Sequence, residues 1–242
     1  MEEMNFDTFQ TQNQFQYSAV EMESLGASEY TIVNLLVDTT GSVFDFKDDL
    51  EAAIKKIISK LQKHAKSENL LFRVATFDSY SGIKEIHGFA PIGNIALDQY
   101  VLNPNGGTPL YSATLDSVET TKEYADKLME SDTVDCLNTI FFVLTDGDEN
   151  QSNDLKGDLL KIKDAMNGIR RSKSLESTMS ILIGVNAKEC SGCLDEFHRQ
   201  ASFNHYIKID DLDRLVEFIE CAVSSTSMVL GTGQSANVPL NI

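Results

Sequence analysis

Residues 31–42 read TIVNLLVDTTGS, and this stretch decides the fold class. Its first seven residues are mostly apolar and β-branched, which is typical of a strand buried on both faces of a parallel sheet. The run ends at Asp38, and Gly41 then allows the backbone to turn tightly. Asp38, Thr40 and Ser42 occupy alternate positions and offer one carboxylate and two hydroxyls. We therefore expect a central strand whose carboxyl end presents hard oxygen ligands.

Strand and helix patterns alternate along the rest of the chain. Further short apolar strands are predicted at 71–77, 83–89, 139–145, 179–185 and 205–209. Helical spacing of apolar residues predicts helices at 46–61, 109–128, 155–169, 194–200 and 212–223. The segment 83–89 follows a Ser-Gly turn, so it is predicted to be an antiparallel edge strand. The chain is thus expected to be α/β: a doubly wound, Rossmann-like, mainly parallel six-stranded sheet with helices on both faces.

Two terminal segments differ in composition from this pattern. Residues 1–28 contain no Lys or Arg and show no sustained period, so they are interpreted as an N-terminal arm that is disordered or packs late. The domain itself is placed at 29–223. Residues 224–242 form a tail without charged side chains, and their Gly, Ser and Asn content argues against a helix. A flexible tail is preferred over a docking strand.

The charge of the protein excludes several function classes. Its 242 residues include 37 Asp and Glu against 20 Lys and Arg, giving a formal net charge of −17. Such a protein repels nucleic acid and acidic membrane surfaces. No apolar run approaches the roughly 20 residues that cross a bilayer, and residues 1–5 lack the pattern of a secretory signal. A soluble, cytoplasmic protein is the expectation.

Four cysteines are too few for a disulfide scaffold and indicate a reducing compartment. Cys136 and Cys221 are predicted to lie in the core. Cys190 and Cys193 have the spacing of a redox pair or of half a zinc site, which His198 and His205 could complete. Ordinary reduced thiols are the preferred interpretation.

Two more segments bring oxygen-bearing residues to the same place as Asp38. Thr108 follows a Gly-Gly pair just before a predicted helix, and Asp146 directly follows the strand predicted at 139–145. In an open α/β sheet, ligands bind outside the carboxyl ends of the strands, where the strand order reverses. The three segments are therefore expected to converge there.

This pattern resembles the von Willebrand factor A (vWA) family, whose metal-ion-dependent adhesion site (MIDAS) combines an Asp-x-Ser-x-Ser motif with a distant Thr and a distant Asp. The resemblance covers about residues 28–223, and Thr40 replaces the usual first Ser while keeping the hydroxyl. It implies that Mg²⁺ or Mn²⁺ is held by Asp38, Thr40, Ser42, Thr108 and Asp146. The absence of a recognisable leader or span makes the chain similar to intracellular prokaryotic and phage members. Some of these act beside MoxR-type AAA+ ATPases.

The composition of this ligand set suggests a mechanism of binding. Mg²⁺ prefers six oxygens, and two carboxylates with hydroxyls and waters leave it incompletely neutralised. An open position can then accept an Asp or Glu from a protein partner through a charge-assisted contact. The expected function is a non-enzymatic adaptor that uses the metal to bind an acidic residue of its partner.

Two other functions remain open. The chain could be an assembly protein whose arm and tail make the contacts while the metal site is vestigial. It could also be a metal-dependent phosphohydrolase with Asp38 as nucleophile. That enzyme would need a second acid two residues later, where Thr40 stands, and the three segments contain no His or Cys.

Other charged groups have ordinary interpretations beside functional ones. Asp45, Asp48 and Asp49 are interpreted as acids at a helix start rather than as a second cation site. Asp148 and Glu149 are interpreted as loop acids rather than as groups that tune the metal. A basic cluster is interpreted as a solvated helix face rather than a docking face; its members are Lys156, Lys161, Lys163, Arg170, Arg171 and Lys173.

Overall fold

The stretch quoted above lies at the centre of the sheet in the computed structural model, which describes residues 5–131, 133–188 and 190–232. The strands are β1 (Phe6–Gln10), β2 (Gln16–Val20), β3 (Glu29–Asp38), β4 (Leu70–Asp78), β5 (Gly82–Pro91), β6 (Cys136–Thr145), β7 (Ser177–Val185) and β8 (His205–Ile209). Their order is β1-β2-β5-β4-β3-β6-β7-β8. Strands β4, β3, β6, β7 and β8 are mutually parallel, and β5 is antiparallel to β4.

Five helices cover the two faces of this sheet: α1 (Lys47–Gln62), α2 (Leu110–Glu130), α3 (Leu155–Arg170), α4 (Ser191–Ala201) and α5 (Leu212–Met228). On β3, Val33, Leu35 and Val37 join the core cluster formed with α1 and α5, whereas Leu36 joins the cluster formed with α2, α3 and α4. Both faces of the strand are therefore buried, which explains why its sequence is apolar throughout. The predicted Rossmann-like α/β fold is confirmed.

The strand order reverses beside β3. The chain passes from β3 through α1 to β4 on one side, and later returns through α2 to β6 on the other side. This is the topological switch point at which open α/β sheets bind ligands. The carboxyl ends of β3 and β6 therefore form the floor of the candidate site.

The sheet has eight strands rather than the six expected, and β5 is not an edge strand. Residues 6–20 form a hairpin, the N-terminal hairpin, in which β1 pairs antiparallel with β2. Strand β2 continues the sheet next to β5 through Ala19 and Phe89. Tyr17 is 1% exposed and stacks against Phe9, with ring centroids 5.3 Å apart. Burial of these aromatic side chains explains why residues of the predicted arm join the sheet.

A buried ion-pair network fastens this hairpin to the sheet. Arg73 of β4 is fully buried, and its Nε donates to Glu85 Oε1 at 2.6 Å while Nη2 contacts Asp116 Oδ2 at 3.2 Å. The second oxygen of Glu85 accepts hydrogen bonds from the backbone N and the hydroxyl of Ser18 in β2. Removing one partner of such a network leaves an uncompensated buried charge, so we expect it to fix the position of β2.

The last helix extends past the predicted domain end at residue 223. Helix α5 continues to Met228, and Thr226 Oγ1 donates to the carbonyl of Ala222 at 2.9 Å. Tertiary contacts explain why this polar segment is helical despite its composition: Thr226 and Ser227 are buried, and Asn138 Nδ2 donates to the Thr226 carbonyl at 3.2 Å. The rest of the predicted tail, residues 233–242, lies outside the described residues.

The structure bears on three smaller expectations. Cys136 is buried as predicted, but Cys221 is exposed on α5, so its predicted core position is wrong. Arg170 is not part of a solvated face, because its Nη2 donates to the carbonyl of Ser202 and contacts Ser180 Oγ. Within the described ranges, no helix is long and apolar enough to cross a membrane.

Candidate metal centre

Asp38 is held rigidly at the carboxyl end of β3. The side chain is 2% exposed, and its Oδ1 accepts a hydrogen bond from the backbone N of Thr40 at 2.8 Å. Its Oδ2 accepts a hydrogen bond from Thr145 Oγ1 at 2.6 Å. Both carboxylate oxygens are therefore oriented by neighbouring groups before any ligand binds.

Thr145 is a site residue that the sequence analysis missed. It is the last residue of β6, and the parallel register of Val37 with Leu144 places it beside Asp38. Aligning the ends of the two predicted strands, 37 with 145, would pair Asp38 with Asp146. The observed register lies one residue earlier, so the sequence pattern carries no signal for Thr145.

Burial raises the pKa of Asp38 to about 6, although hydrogen bonds from Thr145 and Thr40 oppose the shift. The same cause raises the pKa of Asp146, against the hydrogen bond from Ser42. Neither carboxylate forms a salt bridge within the described part of the chain. Two poorly solvated acids without a cationic neighbour are the electrostatic environment that a divalent cation relieves.

Four residues at the carboxyl ends of β3 and β6 form one continuous hydrogen-bonded chain. Thr40 Oγ1 and Ser42 Oγ are 3.1 Å apart, and Ser42 Oγ donates to Asp146 Oδ1 at 2.8 Å. Thr40 is buried and Ser42 is exposed. The structure thus brings Asp38, Thr40, Ser42 and Asp146 together, as the sequence predicts.

Thr108 reaches the same cluster from the loop before α2. It is buried, and its Oγ1 lies 3.6 Å from the position that a Cβ on Gly147 would take. Reciprocal hydrogen bonds with Asn150 fix its backbone: Thr108 N donates to Asn150 Oδ1 at 2.7 Å, and Asn150 N donates to the Thr108 carbonyl at 3.1 Å. The fifth predicted residue therefore adjoins the loop of Asp146.

Backbone hydrogen bonds join the loop after β3 to the loop before α2. Gly41 N donates to the carbonyl of Gly106 at 3.0 Å, and Asn105 N donates to the carbonyl of Thr39 at 2.9 Å. The left-handed turn is made by Gly106, with a φ of 67°, and not by Gly41. At Gly41 a Cβ would lie 3.4 Å from the Gly106 carbonyl oxygen, which is van der Waals contact, so the two loops pack closely there.

The acids after Asp146 have structural contacts. Glu149 Oε2 accepts a hydrogen bond from Tyr111 N in the first turn of α2 at 2.6 Å, and its Oε1 accepts bonds from the backbone N of Gln151 and Ser152. It therefore caps α2, whose N-cap residue is a proline. A hydrogen bond with Asp148 raises the pKa of the Cys193 thiol. The interpretation of Cys190 and Cys193 as ordinary reduced thiols stays a prediction.

The donor set fits a hard divalent cation. It consists of two carboxylates and three hydroxyls, and these are the oxygen ligands that Mg²⁺ and Mn²⁺ accept. A cluster of three or more His, Cys, Asp or Glu side chains suited to a metal ion does not occur in the described ranges. With two carboxylates and three hydroxyls as ligands, a six-coordinate cation would keep at least one position for another ligand.

Comparison with known proteins gives structural matches only. No family model matches the chain, and no curated protein matches its sequence. The pilus adhesin SpaC from Lactobacillus rhamnosus GG, in its open conformation, has a TM-score of 0.57 at 13% identity; the match covers 91% of this chain and 33% of SpaC. This chain therefore spans about a third of the length of that adhesin.

Two further solved structures match most of the chain. The vWF domain of Mfa5, a type V pili tip protein from Porphyromonas gingivalis, has a TM-score of 0.53 at 11% identity, with 88% of this chain and 99% of that domain covered. Manganese-loaded TRAP protein from Plasmodium vivax has a TM-score of 0.50 at 17% identity, with coverage of 79% and 72%. At these identities the likeness shows the fold alone.

Proposed function

We propose that this chain, which has a von Willebrand factor A-like fold, is a protein-binding adaptor that uses a Mg²⁺ or Mn²⁺ ion to coordinate an Asp or Glu of its partner. The observation that carries the proposal is the convergence of Asp38, Thr40, Ser42 and Asp146 in one hydrogen-bonded chain, with Thr108 beside it. A cation in this cluster would be held by these residues and would supply a positive charge with an open coordination position.

The structure of the cluster favours binding over catalysis. A phosphohydrolase with Asp38 as nucleophile would need a general acid two residues later. The residue at that position is Thr40, whose hydroxyl contacts Ser42. We therefore propose a non-enzymatic role, which predicts no Mg²⁺-dependent hydrolysis of p-nitrophenyl phosphate above that of Asp38→Asn.

The experiment has two stages on the full chain. Mn²⁺ binding is first measured by electron paramagnetic resonance for wild type, Asp38→Asn and the distant control Asp98→Asn, which removes an exposed acid. Proteins captured from the native cell extract are then compared in Mg²⁺, in chelator and with each variant. We expect Mn²⁺ and the captured partner to be lost together in Asp38→Asn and retained in Asp98→Asn.

Two results would contradict this function. Wild type that binds no Mn²⁺ at millimolar concentration would mean that the cluster is structural. A partner retained in chelator would point to the assembly role, in which the terminal segments make the contacts. Within residues 5–20 such contacts would fall to the largely exposed edge strand β1, because most of β2 and the ring of Tyr17 are buried within their own chain. A MoxR-type AAA+ ATPase as associated partner stays a prediction from resemblance.

A further inference from the structure

Two large aromatic side chains are exposed beside the metal cluster. Phe44 is 65% exposed and lies two residues after Ser42, in the 3₁₀ helix Gly41–Phe46. Tyr80 is 77% exposed, in the turn between β4 and β5. Aromatic side chains are enriched in protein interfaces relative to the rest of the surface.

Tyr80 adjoins the metal cluster through its contact with Gly106. Its ring lies over Gly106, so closely that a Cβ on that glycine would come within 2.6 Å of Tyr80 Cδ2. Gly106 in turn accepts the hydrogen bond from Gly41, the residue before Ser42. The aromatic ring, the glycine and the metal-binding loop therefore form one contiguous surface.

The turn that carries Tyr80 is rigid. Asp78 Oδ1 accepts hydrogen bonds from the backbone N of Tyr80 and of Ser81, both at 2.7 Å. Ser79 N donates a hydrogen bond to the Gly107 carbonyl at 3.0 Å, and Ser79 Oγ accepts one from Gly107 N at 2.7 Å. An exposed aromatic ring on a fixed backbone loses little conformational entropy when a partner covers it.

The surrounding loops are acidic. Loops 38–48, 78–82, 103–109 and 146–154 contain eight Asp or Glu residues and one lysine, Lys47, whose Nζ is 3.6 Å from Asp48 Oδ1. A divalent cation would neutralise two of these charges. The surface formed by these loops would stay negative around the bound cation. It therefore favours a partner segment with one acid at the metal and basic residues around that acid.

We infer that this face binds a protein segment in which a single Asp or Glu is flanked by apolar side chains that cover Phe44 and Tyr80 and by Lys or Arg that face the acidic loops. The inference rests on the proposed function, since the metal anchors the acid. It specifies which kinds of side chain flank that acid in the partner.

The test is a selection of random twelve-residue peptides displayed on phage, bound to the immobilised full chain in Mg²⁺ and eluted with chelator. We expect the eluted peptides to share one acid, at least one large apolar residue and an excess of Lys and Arg. A synthetic peptide of that consensus should bind Phe44→Ser/Tyr80→Ser at least tenfold more weakly than wild type. The matched control is Met228→Ser, which removes an apolar side chain of 68% exposure at the end of α5 and should bind like wild type.

The two hypotheses fail in different ways. Wild type that binds no Mn²⁺ contradicts the proposed function. If Mn²⁺ binds equally to wild type and to Phe44→Ser/Tyr80→Ser, but the eluted peptides carry several acids or no apolar residue, only the present inference is overturned. Equal affinity of the consensus peptide for wild type and the double variant would overturn it as well.

Discussion

The hydroxyl of Thr145 has a larger role than its position outside the predicted ligand set suggests. It donates to Asp38 Oδ2 and so orients the carboxylate that the cation would use. Groups that orient a metal ligand typically change metal affinity by about 10- to 100-fold when removed. We predict that Thr145→Val lowers Mn²⁺ affinity by about that factor while the protein stays folded, as measured by electron paramagnetic resonance and circular dichroism.

A matched control exists on the same strand. Thr139 is also buried in β6, and its Oγ1 donates to the carbonyl of Ile32 at 3.2 Å, far from the cluster along the strand. Thr139→Val removes a comparable hydrogen bond and should leave Mn²⁺ affinity unchanged. If both variants bind Mn²⁺ like wild type, the assigned role of Thr145 is wrong.

The pKa of a second residue, His87, makes the stability of the fold depend on pH. Burial lowers the pKa of His87 to about 4. Its Nδ1 donates to the carbonyl of Gly88 at 2.8 Å, and its Nε2 accepts from Tyr100 Oη at 2.7 Å, so the ring is neutral in the folded state. In the unfolded chain a histidine has a pKa of about 6.5, so below that pH the unfolded state binds a proton that the folded state does not.

The folded state should therefore lose stability as the pH falls from about 6.5 towards 4. We expect this single group to lower the free energy of unfolding by about 2 kcal/mol between pH 7.5 and pH 5. Urea denaturation of wild type and His87→Gln at both pH values isolates that contribution from other acids. His64→Gln, at a partly exposed histidine, is the control. An unchanged difference between wild type and His87→Gln at the two pH values would contradict the prediction.

Among the elements, the N-terminal hairpin departs most from what the sequence indicated. Tyr17 packs against Phe9, Phe89 and Tyr124, with ring centroids between 5.3 and 6.5 Å. We predict that Tyr17→Ala lowers the free energy of unfolding by about 3–5 kcal/mol, the usual cost of removing a buried aromatic ring. Urea denaturation followed by circular dichroism measures this change.

Two variants separate packing from the hydroxyl and from surface effects. Tyr17→Phe should cost less than about 1 kcal/mol, because Tyr17 Oη is 3.4 Å from Glu123 Oε1 and that bond is weak. Phe6→Ala, at a residue of the hairpin that is exposed, should also have a small effect. A loss below about 1 kcal/mol in Tyr17→Ala would mean that the hairpin is not packed in solution.

At the scale of the whole molecule, the sequence predicted what depends on periodicity and could not predict what depends on pairing. The buried strands, the helices and the convergence of Asp38 with Asp146 follow from apolar periods and from the topology of parallel sheets. The place of the hairpin follows from the free edge of β5, which appears only once the sheet is assembled. The helical end at Thr226 depends on burial against β6 and on the hydrogen bond from Asn138 Nδ2 to the Thr226 carbonyl, which composition does not reveal.

The whole molecule should also respond to divalent cations. A cation that binds only the folded state stabilises it by about 2.7 kcal/mol at a concentration of 100 Kd. For a chain of this length we expect Mg²⁺ at that concentration to raise Tm by about 5–10 °C. Because the net charge is −17, NaCl at equal ionic strength must be measured in parallel.

Asp38→Asn separates specific binding from screening of charge. This variant should show only the part of the Tm increase that NaCl reproduces. Without divalent cation it should be at least as stable as wild type at pH 7, because it removes a carboxylate that is 2% exposed and has no salt bridge among the described residues. Equal responses of wild type and Asp38→Asn to Mg²⁺ would contradict a specific site.

The N-terminal hairpin also constrains how the chain folds during synthesis. Residues 6–20 leave the ribosome before β5 and α2, yet their partners Phe89, Glu119 and Tyr124 lie in those elements. Until about residue 130 has been translated, Phe9 and Tyr17 can stack on each other but lack their partners in β5 and α2. At about 5–20 residues per second, this interval lasts several seconds or longer. During that time the nascent chain displays aromatic residues that a ribosome-associated chaperone can bind, so translation speed and chaperone supply should influence the yield of folded protein.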